Sequence, residues 1–330
     1  MGKRLIHLTC LIVATFFIIV LTKNLQETLA ADDYPSKPIE FVVTWPPGGT
    51  DMQVRLVVEA ANKYLEMEGK EKIYVTNKPG GAGIVGLTYV LNSKPDGYTI
   101  GSIHGSNTYI ATQFPEITPY TLNDIEPICC FNNTKYSLCV KGDSPFKGYE
   151  DLVIYAKEHP DLLTCAVTGK TGTDNVYLEL LKMKEKIDIR GIPFKGSGPV
   201  TLALLGGHVD MIIGQNPLVL PHIEAGKLRP LLVIYNRKER LKQFPNVPST
   251  MEKSFGELPL VITACGGPVG IPKDRLKKLG DIFKKAMHDP EVIKTIEKIG
   301  DTAYYLNSEE LKKVIMEGDK SLLKIRDKLK

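Results

Sequence analysis

Two loops in this sequence place glycines beside hydroxyl and carboxylate side chains, each immediately before a helical pattern. The first is Trp45-Pro46-Pro47-Gly48-Gly49-Thr50-Asp51. Glycine lets a backbone approach a ligand closely, and Thr50 or Asp51 can cap the helix that follows. Free N–H groups and the positive dipole end of that helix favour a carboxylate or a phosphate. The plain alternative is a capped turn with no ligand. The second loop, Thr168-Gly169-Lys170-Thr171-Gly172-Thr173-Asp174, is of the same kind. Its Gly-Lys-Thr run is not a Walker A motif, which would need glycine where Thr164 stands. An anion site without nucleotide hydrolysis is the expectation for both loops.

Other candidates are weaker. Gly81-Ala82-Gly83-Ile84-Val85-Gly86 fits G-x-G-x-x-G, but a dinucleotide site would want an acidic residue about twenty positions on. His104 and Gly105 occupy that neighbourhood, so the motif reads as a tight turn feeding a helix and no cofactor is expected. The loop His104-Gly105-Ser106-Asn107-Thr108 offers hydroxyl and amide donors through Ser106 and Asn107. Lys195, in Lys195-Gly196-Ser197-Gly198, is a charge partner for a carboxylate or a solvated lysine at a strand end. Catalysis demands a nucleophile, a base and an orienting group within reach of one another. No G-x-S-x-G or H-E-x-x-H is present, and Gly105-Ser106-Asn107 lacks the flanking glycine of a nucleophile elbow.

The elements that must position these loops alternate between short β-branched runs and longer helical patterns. Strands are expected at 39–44, 72–76 and 98–103, with helices at 52–65 and 84–92 between them. The pattern restarts near residue 135. Strands are then expected at 137–141, 163–167, 191–194, 209–213 and 228–234, separated by helices, and the tail from Lys273 is helix-rich behind Pro272. Strands alternating with helices imply parallel sheets with right-handed crossovers. Two such arrays predict an α/β protein of two lobes, 34–133 with 237–330 and 134–236, whose ligand sits outside the strands' carboxyl ends.

Lys3 and Arg4 precede an apolar run from Leu5 to Leu21, followed by small residues at Ala30 and Ala31, the pattern of a secretory signal. Cleavage after Ala30 or Ala31 is expected. An uncleaved anchor is the alternative, because the run is long for a signal. Formal charge is +4; removing that segment's three cations and one anion lowers it to +2. So balanced a surface gives no reason to expect nucleic acid. Five cysteines lie beyond the segment, Cys129, Cys130, Cys139, Cys165 and Cys265, an odd number without zinc-ligand spacing. Cys139 pairing with Cys129 or Cys130 and burial as small apolar residues both remain open.

A resemblance joins these pieces. Tyr34-Pro35-x-Lys37-Pro38-Ile39, Pro46-Pro47-Gly48-Gly49-x-Asp51, Asn77-Lys78-Pro79-Gly80 and Lys94-Pro95-Asp96-Gly97-Tyr98-Thr99 resemble one family in order. So do Phe194-Lys195-Gly196, Leu204-Leu205-Gly206-Gly207-His208-Val209-Asp210, Pro221-His222-Ile223-x-Ala225-Gly226-Lys227 and Pro245-x-Val247-Pro248-Ser249. These motifs look like the extracytoplasmic solute receptors of tripartite tricarboxylate transporters, the Bug family. The resemblance implies a type II periplasmic-binding-protein architecture, two lobes joined by two crossing strands. It also implies a non-enzymatic, exported, monomeric receptor that hands a small carboxylate to membrane transporter subunits. Carried over, Gly48, Gly49, Thr50 and Asp51 form a first-lobe clamp, and Gly172, Thr173 and Asp174 form the second-lobe anion loop with Gly169. The family usually has serine at Thr173 and proline at Thr108. A pocket wall near Trp45 and Gln215-Asn216 would set selectivity. A signalling receptor and an exported hydrolase using Ser106 or His104 are the rival classes, and no motif selects the carboxylate.

Overall fold

The computed structural model describes residues 34–323 apart from 170, 236–239, 242, 257, 259 and 260. The basic and apolar N-terminal segment, with its expected cleavage point, lies outside the described residues. Among the described residues no helix is long and apolar enough to cross a membrane.

Strand β1 (Ile39–Val43) leads into helix α1 (Gly49–Met67), then β2 (Ile73–Asn77), α2 (Ile84–Leu91) and β3 (Thr99–His104). β1 pairs in parallel with both β2 and β3, as strands joined by crossover helices must. β4 (Ile125–Asn133) runs across into β5 (Tyr136–Lys141) through Thr134 and Lys135. Then come α3 (Tyr149–Glu158), β6 (Thr164–Val167), α4 (Thr173–Glu185), β7 (Arg190–Pro193) and α5 (Ser197–Leu205). β8 (Met211–Gln215), α6 (Asn216–Glu224) and β9 (Leu228–Ile234) follow. The chain returns through β10 (Ile262–Pro268), α7 (Lys273–Met287), α8 (Pro290–Lys298), β11 (Thr302–Leu306) and α9 (Ser308–Leu323).

The result is a two-lobe α/β molecule. One sheet has the order β11-β4-β10-β3-β1-β2 and the other β7-β6-β8-β5-β9. Both sheets are mixed rather than parallel throughout, which corrects the expectation from alternating elements. β5 is antiparallel to β8 and β9, and β10 is antiparallel to β3 and β4. The reason is where these strands enter. Tyr136, first in β5, lies opposite Gln215, last in β8, and Ile262, first in β10, lies opposite Asn133, last in β4. A strand arriving from the other lobe starts at the cleft end, where its neighbours finish.

Each sheet is covered on both faces. Phe41 and Phe131 of the first sheet meet Phe283 of α7 at ring separations of 6.2 and 5.2 Å, beside Val54, Val57, Ala61 and Leu65 of α1. Leu87 and Val90 of α2 and Leu311 and Ile315 of α9 cover the opposite face. In the second sheet, Leu138 and Val140 face Leu178 and Leu181 of α4, while intervening Cys139 faces Val200 and Leu204 of α5. All five cysteines are buried and free, and burial pushes their thiols up. Cys139 belongs to one sheet, Cys129 and Cys130 to the other, so the short-loop pairing does not form.

A buried polar cluster ties the crossing strands to α1. The Asp301 carboxylate accepts from Lys135 N (3.0 Å), Asn132 Nδ2 (2.9 Å) and Gln53 Nε2. Gln53 in turn accepts from Thr263 Oγ1 at 2.9 Å, and the Thr263 and Thr134 hydroxyls share a hydrogen bond of 3.1 Å. Burial pushes the Asp301 carboxyl up to about 7, against the pull of Lys135.

Candidate functional site

Four helices begin at the cleft without a side chain capping them. α1 starts behind Gly48 in one lobe; α4, α5 and α6 start behind Gly172, Gly196 and Gln215 in the other. α2 and α7 also start without a side-chain cap, whereas α8 is capped by the Asp289 carboxylate. An uncapped start leaves N–H groups without intrahelical partners and the positive dipole end exposed. All four helices follow the carboxyl ends of strands, where open α/β sheets hold ligands.

The loops that carry these termini meet across the cleft, and glycine makes the approach possible. A methyl group on Gly49 would overlap Gln215 Oε1 and lie 3.1 Å from its Cδ. On Gly48 it would stand 3.0 Å from Ser197 Oγ, and on Gly196 2.7 Å from Pro46 Cγ. Between them is a narrow cavity of about 20 Å³ lined by Trp45, Thr50, His104 and Ser106 from one lobe and Tyr136, Thr168, Thr173, Ser197 and Gln215 from the other.

Polar atoms converge on this cavity without partners. Trp45 Nε1, His104 Nε2, Thr173 Oγ1 and Gln215 Oε1 are buried and make no hydrogen bond among the described residues. The Tyr136 hydroxyl lies beside Thr173 but outside hydrogen-bond geometry with it. Desolvation pulls His104 down to about 4, so its ring is neutral near pH 7. Ser106 N and Oγ approach its Nδ1 at 3.5 and 2.9 Å. A backbone N–H can only donate, so Nδ1 accepts and the ring proton sits on Nε2, facing the cavity. Trp45, His104 and Thr173 therefore offer donors. Gln215 offers an acceptor, since its amide nitrogen donates to Tyr136 Oη at 3.1 Å. Leaving such groups buried and unpaired costs about 1–3 kcal/mol each. None of the described residues lining the cavity is ionised. The arrangement suits an anion held by dipoles and neutral donors, not by an opposing charge.

Trp45, Thr50, Ser106 and Thr173, all singled out in the sequence, line the cavity. Gly48 and Gly49 form the close approach, Gly172 precedes the first turn of α4, and Gly169 (φ +116°) turns the chain before it. Lys195 lies further out, beside Phe194 and Pro79 in a wider part of the cleft. Four predicted residues are braces that do not line the cavity. Asp51 does not cap α1, which starts three residues earlier than expected. Its carboxylate accepts from Arg55 Nε at 3.0 Å and Asn77 Nδ2 at 2.8 Å, and Asn77 Nδ2 also donates to Trp45 O at 2.9 Å. Asp174 holds its loop by accepting from Thr168 N (2.8 Å), Thr168 Oγ1 (2.7 Å) and Asn175 N (2.9 Å); burial raises it to about 6. Asn107 donates to Thr44 Oγ1 and accepts from His104 N, and Asn216 accepts from Ser137 Oγ. Asp51→Ala is accordingly expected to cost about 1 kcal/mol in urea denaturation and less than tenfold in affinity, because it loosens the Trp45 loop without removing a ligand contact.

In the sequence His104 stands only as a loop residue and hydrolase candidate, and Gln215 only as part of a pocket wall; neither is marked there as a source of unpaired polar atoms at the cavity. Each is the last residue of its strand, β3 or β8, and that position was the available signal. Ser106 Oγ lies 2.9 Å from His104 Nδ1, which also accepts from Ser106 N, and among the described residues no carboxylate orients the other ring nitrogen as a catalytic constellation requires.

Comparison with known proteins identifies the fold and the family. Residues 54–329 match the model of the tripartite tricarboxylate transporter family receptor, TctC. The UPF0065 protein of the gbd 5′ region of Cupriavidus necator is 32% identical over 300 residues, 91% of this chain and 89% of that one. A solved periplasmic transporter is 29% identical with a TM-score of 0.83, covering 89% of this chain and 97% of its own. The periplasmic binding protein BugD is 25% identical with a TM-score of 0.80, covering 90% and 98%. The chain belongs to the tripartite tricarboxylate transporter receptor family, whose members bind solutes rather than transform them.

Proposed function

We propose that this receptor captures a small carboxylate between its lobes outside the cytoplasmic membrane and, as a monomer, presents it to the membrane subunits of a tripartite transporter. The moving bodies are residues 34–133 with 237–330 on one side and 134–236 on the other. One observation carries the ligand class. Unpaired donors on Trp45, His104 and Thr173 share a cavity with helix starts that no side chain caps. A carboxylate touching both lobes binds the closed arrangement better than the open one and so shifts the equilibrium towards closure. Hydrogen bonds to a charged group contribute about 1.5–3 kcal/mol each, so four or five reach the roughly 8 kcal/mol of micromolar affinity after binding costs.

The test is a thermal-shift screen of residues 32–330, first stripped of carried-over ligand, against small carboxylates and their amides. A carboxylate at a hundred times its dissociation constant adds about 2.7 kcal/mol of stability. The expected result is a shift with an acid that its amide does not reproduce. Equal shifts with acid and amide, or none with any acid, would remove the anion from the site.

A further inference from the structure

Lys135, between β4 and β5, is gripped from both lobes. Its N–H donates to Asp301 Oδ1 at 3.0 Å, and its carbonyl accepts from Asn216 N, the first residue of α6, at 2.9 Å. Its ammonium lies 5.0 Å from the centre of the Tyr235 ring, where the chain leaves β9 for the other lobe. The Gly300–Asp301 turn packs on α6: Asn216 Nδ2 donates to Gly300 O at 3.4 Å, and a methyl on Gly300 would stand 3.3 Å from Leu220 Cδ2. α6 therefore roofs the turn that carries Asp301, and it begins next to Gln215 of the ligand cavity. Among the described residues, Gln53 of α1, Asn132 of β4, Lys135 and Tyr136 face the Asp301 carboxyl; Lys135 is the charged one and Tyr136 the other that can titrate. The hydrogen-bond chain beyond Asp301 can run in either direction. With the carboxyl ionised, Gln53 Nε2 donates to it and Gln53 Oε1 accepts from Thr263 Oγ1 at 2.9 Å. With the carboxyl protonated and the Gln53 amide turned over, the acid O–H donates to Gln53 Oε1 and Gln53 Nε2 donates to Thr263 Oγ1. Thr263 then donates to Thr134 Oγ1, 3.1 Å away in the crossing segment. Neither state breaks the chain.

We propose that Asp301 couples a proton to ligand capture: the closed receptor holds the proton at this pivot, and opening releases it to water. The proposal rests on the lobes closing over a carboxylate. When α6 swings off the Gly300–Asp301 turn, water reaches the carboxyl and solvates its ionised form. Closure removes that water, and desolvation again favours the neutral acid. Lys135 opposes this in both arrangements, because it belongs to the pivot itself. Asp301 titrates at about 7 when covered and near the ordinary 3.8 when fully wetted. Closure is then favoured up to about tenfold more at pH 6 than at pH 8.

Trp45, the single tryptophan of the chain, lines the cavity and reports closure without any ligand. In the ligand-free protein its emission maximum is expected to move to the red as pH rises from about 5 to 8. In Asp301→Asn it should stay at the blue end throughout, because the amide is neutral at every pH. A variant that titrates as wild type does, or a wild type whose emission does not move, overturns the proposal. A second measurement needs no variant: dissociation constants at pH 6 and pH 8 for the acids of the thermal screen, lactate and benzoate among them, which are ionised at both. Binding severalfold tighter at pH 6, up to about tenfold, is expected. Equal binding at the two pH values sinks the proton linkage alone. Failure of every acid at both sinks the capture of a carboxylate, and the Trp45 titration then still decides the linkage.

Discussion

Gly49→Ala should lower ligand affinity by roughly fivefold to a hundredfold while barely changing the unfolding of the ligand-free protein. The added methyl would overlap Gln215 Oε1 across the cleft, with Gln215 Cδ at 3.1 Å and Leu218 Cγ at 3.6 Å behind it. Gln215 cannot swing aside freely, because its amide donates to Tyr136 Oη at 3.1 Å. Overpacking of this kind costs about 1–3 kcal/mol. It falls on the closed arrangement, which the ligand needs, rather than on either lobe's core. Each 1.4 kcal/mol withheld from closure is about tenfold in the dissociation constant. A double-mutant cycle with Gln215→Ala locates the cause. Deleting the glutamine side chain removes both an acceptor and the obstruction, so the second substitution should cost less in the Gly49→Ala background than in wild type. Wild-type affinity in Gly49→Ala, or strict additivity in the cycle, would mean the loops do not meet in the bound state.

The second large effect concerns pH. Burial raises the Asp301 carboxyl to about 7 and that of Asp174 to about 6, both from an ordinary value near 3.8. The folded state then holds these protons more tightly than the unfolded chain. Their stabilising contribution is complete below about pH 4 and is lost as pH rises through 6 and 7. At 1.36 kcal/mol per pH unit this amounts to about 3 kcal/mol for Asp174 and up to about 4 for Asp301. Other carboxylates titrate in the opposite sense, so the informative quantity is the difference between wild type and the neutral variants. Urea midpoints measured from about pH 4 to 8 should fall for wild type relative to Asp301→Asn and Asp174→Asn across this window. Parallel profiles would show that the donors from Asn132, Lys135 and Gln53 keep Asp301 ionised throughout.

How far the sequence revealed the site depends on what kind of residue did the work. Gly48-Gly49 and Gly172 were legible because a close approach leaves a local trace: no side chain fits, so glycine stands there. Asp51 was misread for an equally local reason. An acid near a helix start looks like a cap, and only the position of Asn77, 26 residues from Asp51, shows the brace. His104 Nε2 and Gln215 Oε1 owe their roles to lacking a partner, a property of the assembled lobes that no spacing encodes. The fold followed the same division. Crossover units were readable as β-branched runs and helical periods, while β4 with its Pro127 and β10 with Gly266, Gly267 and Pro268 are strands because neighbours on both sides pair with them.

The five buried thiols bear on how the molecule moves. Cys139 and Cys165 sit in the interior of one sheet, and Cys129, Cys130 and Cys265 in that of the other. None lines the cleft, so an opening of the lobes that keeps each sheet intact would leave them all covered. A thiol reagent is therefore blind to ligand-driven domain motion and sees only excursions in which a lobe itself comes apart. Each half of the chain carries its own reporter of local unfolding, on a timescale separate from the binding cycle.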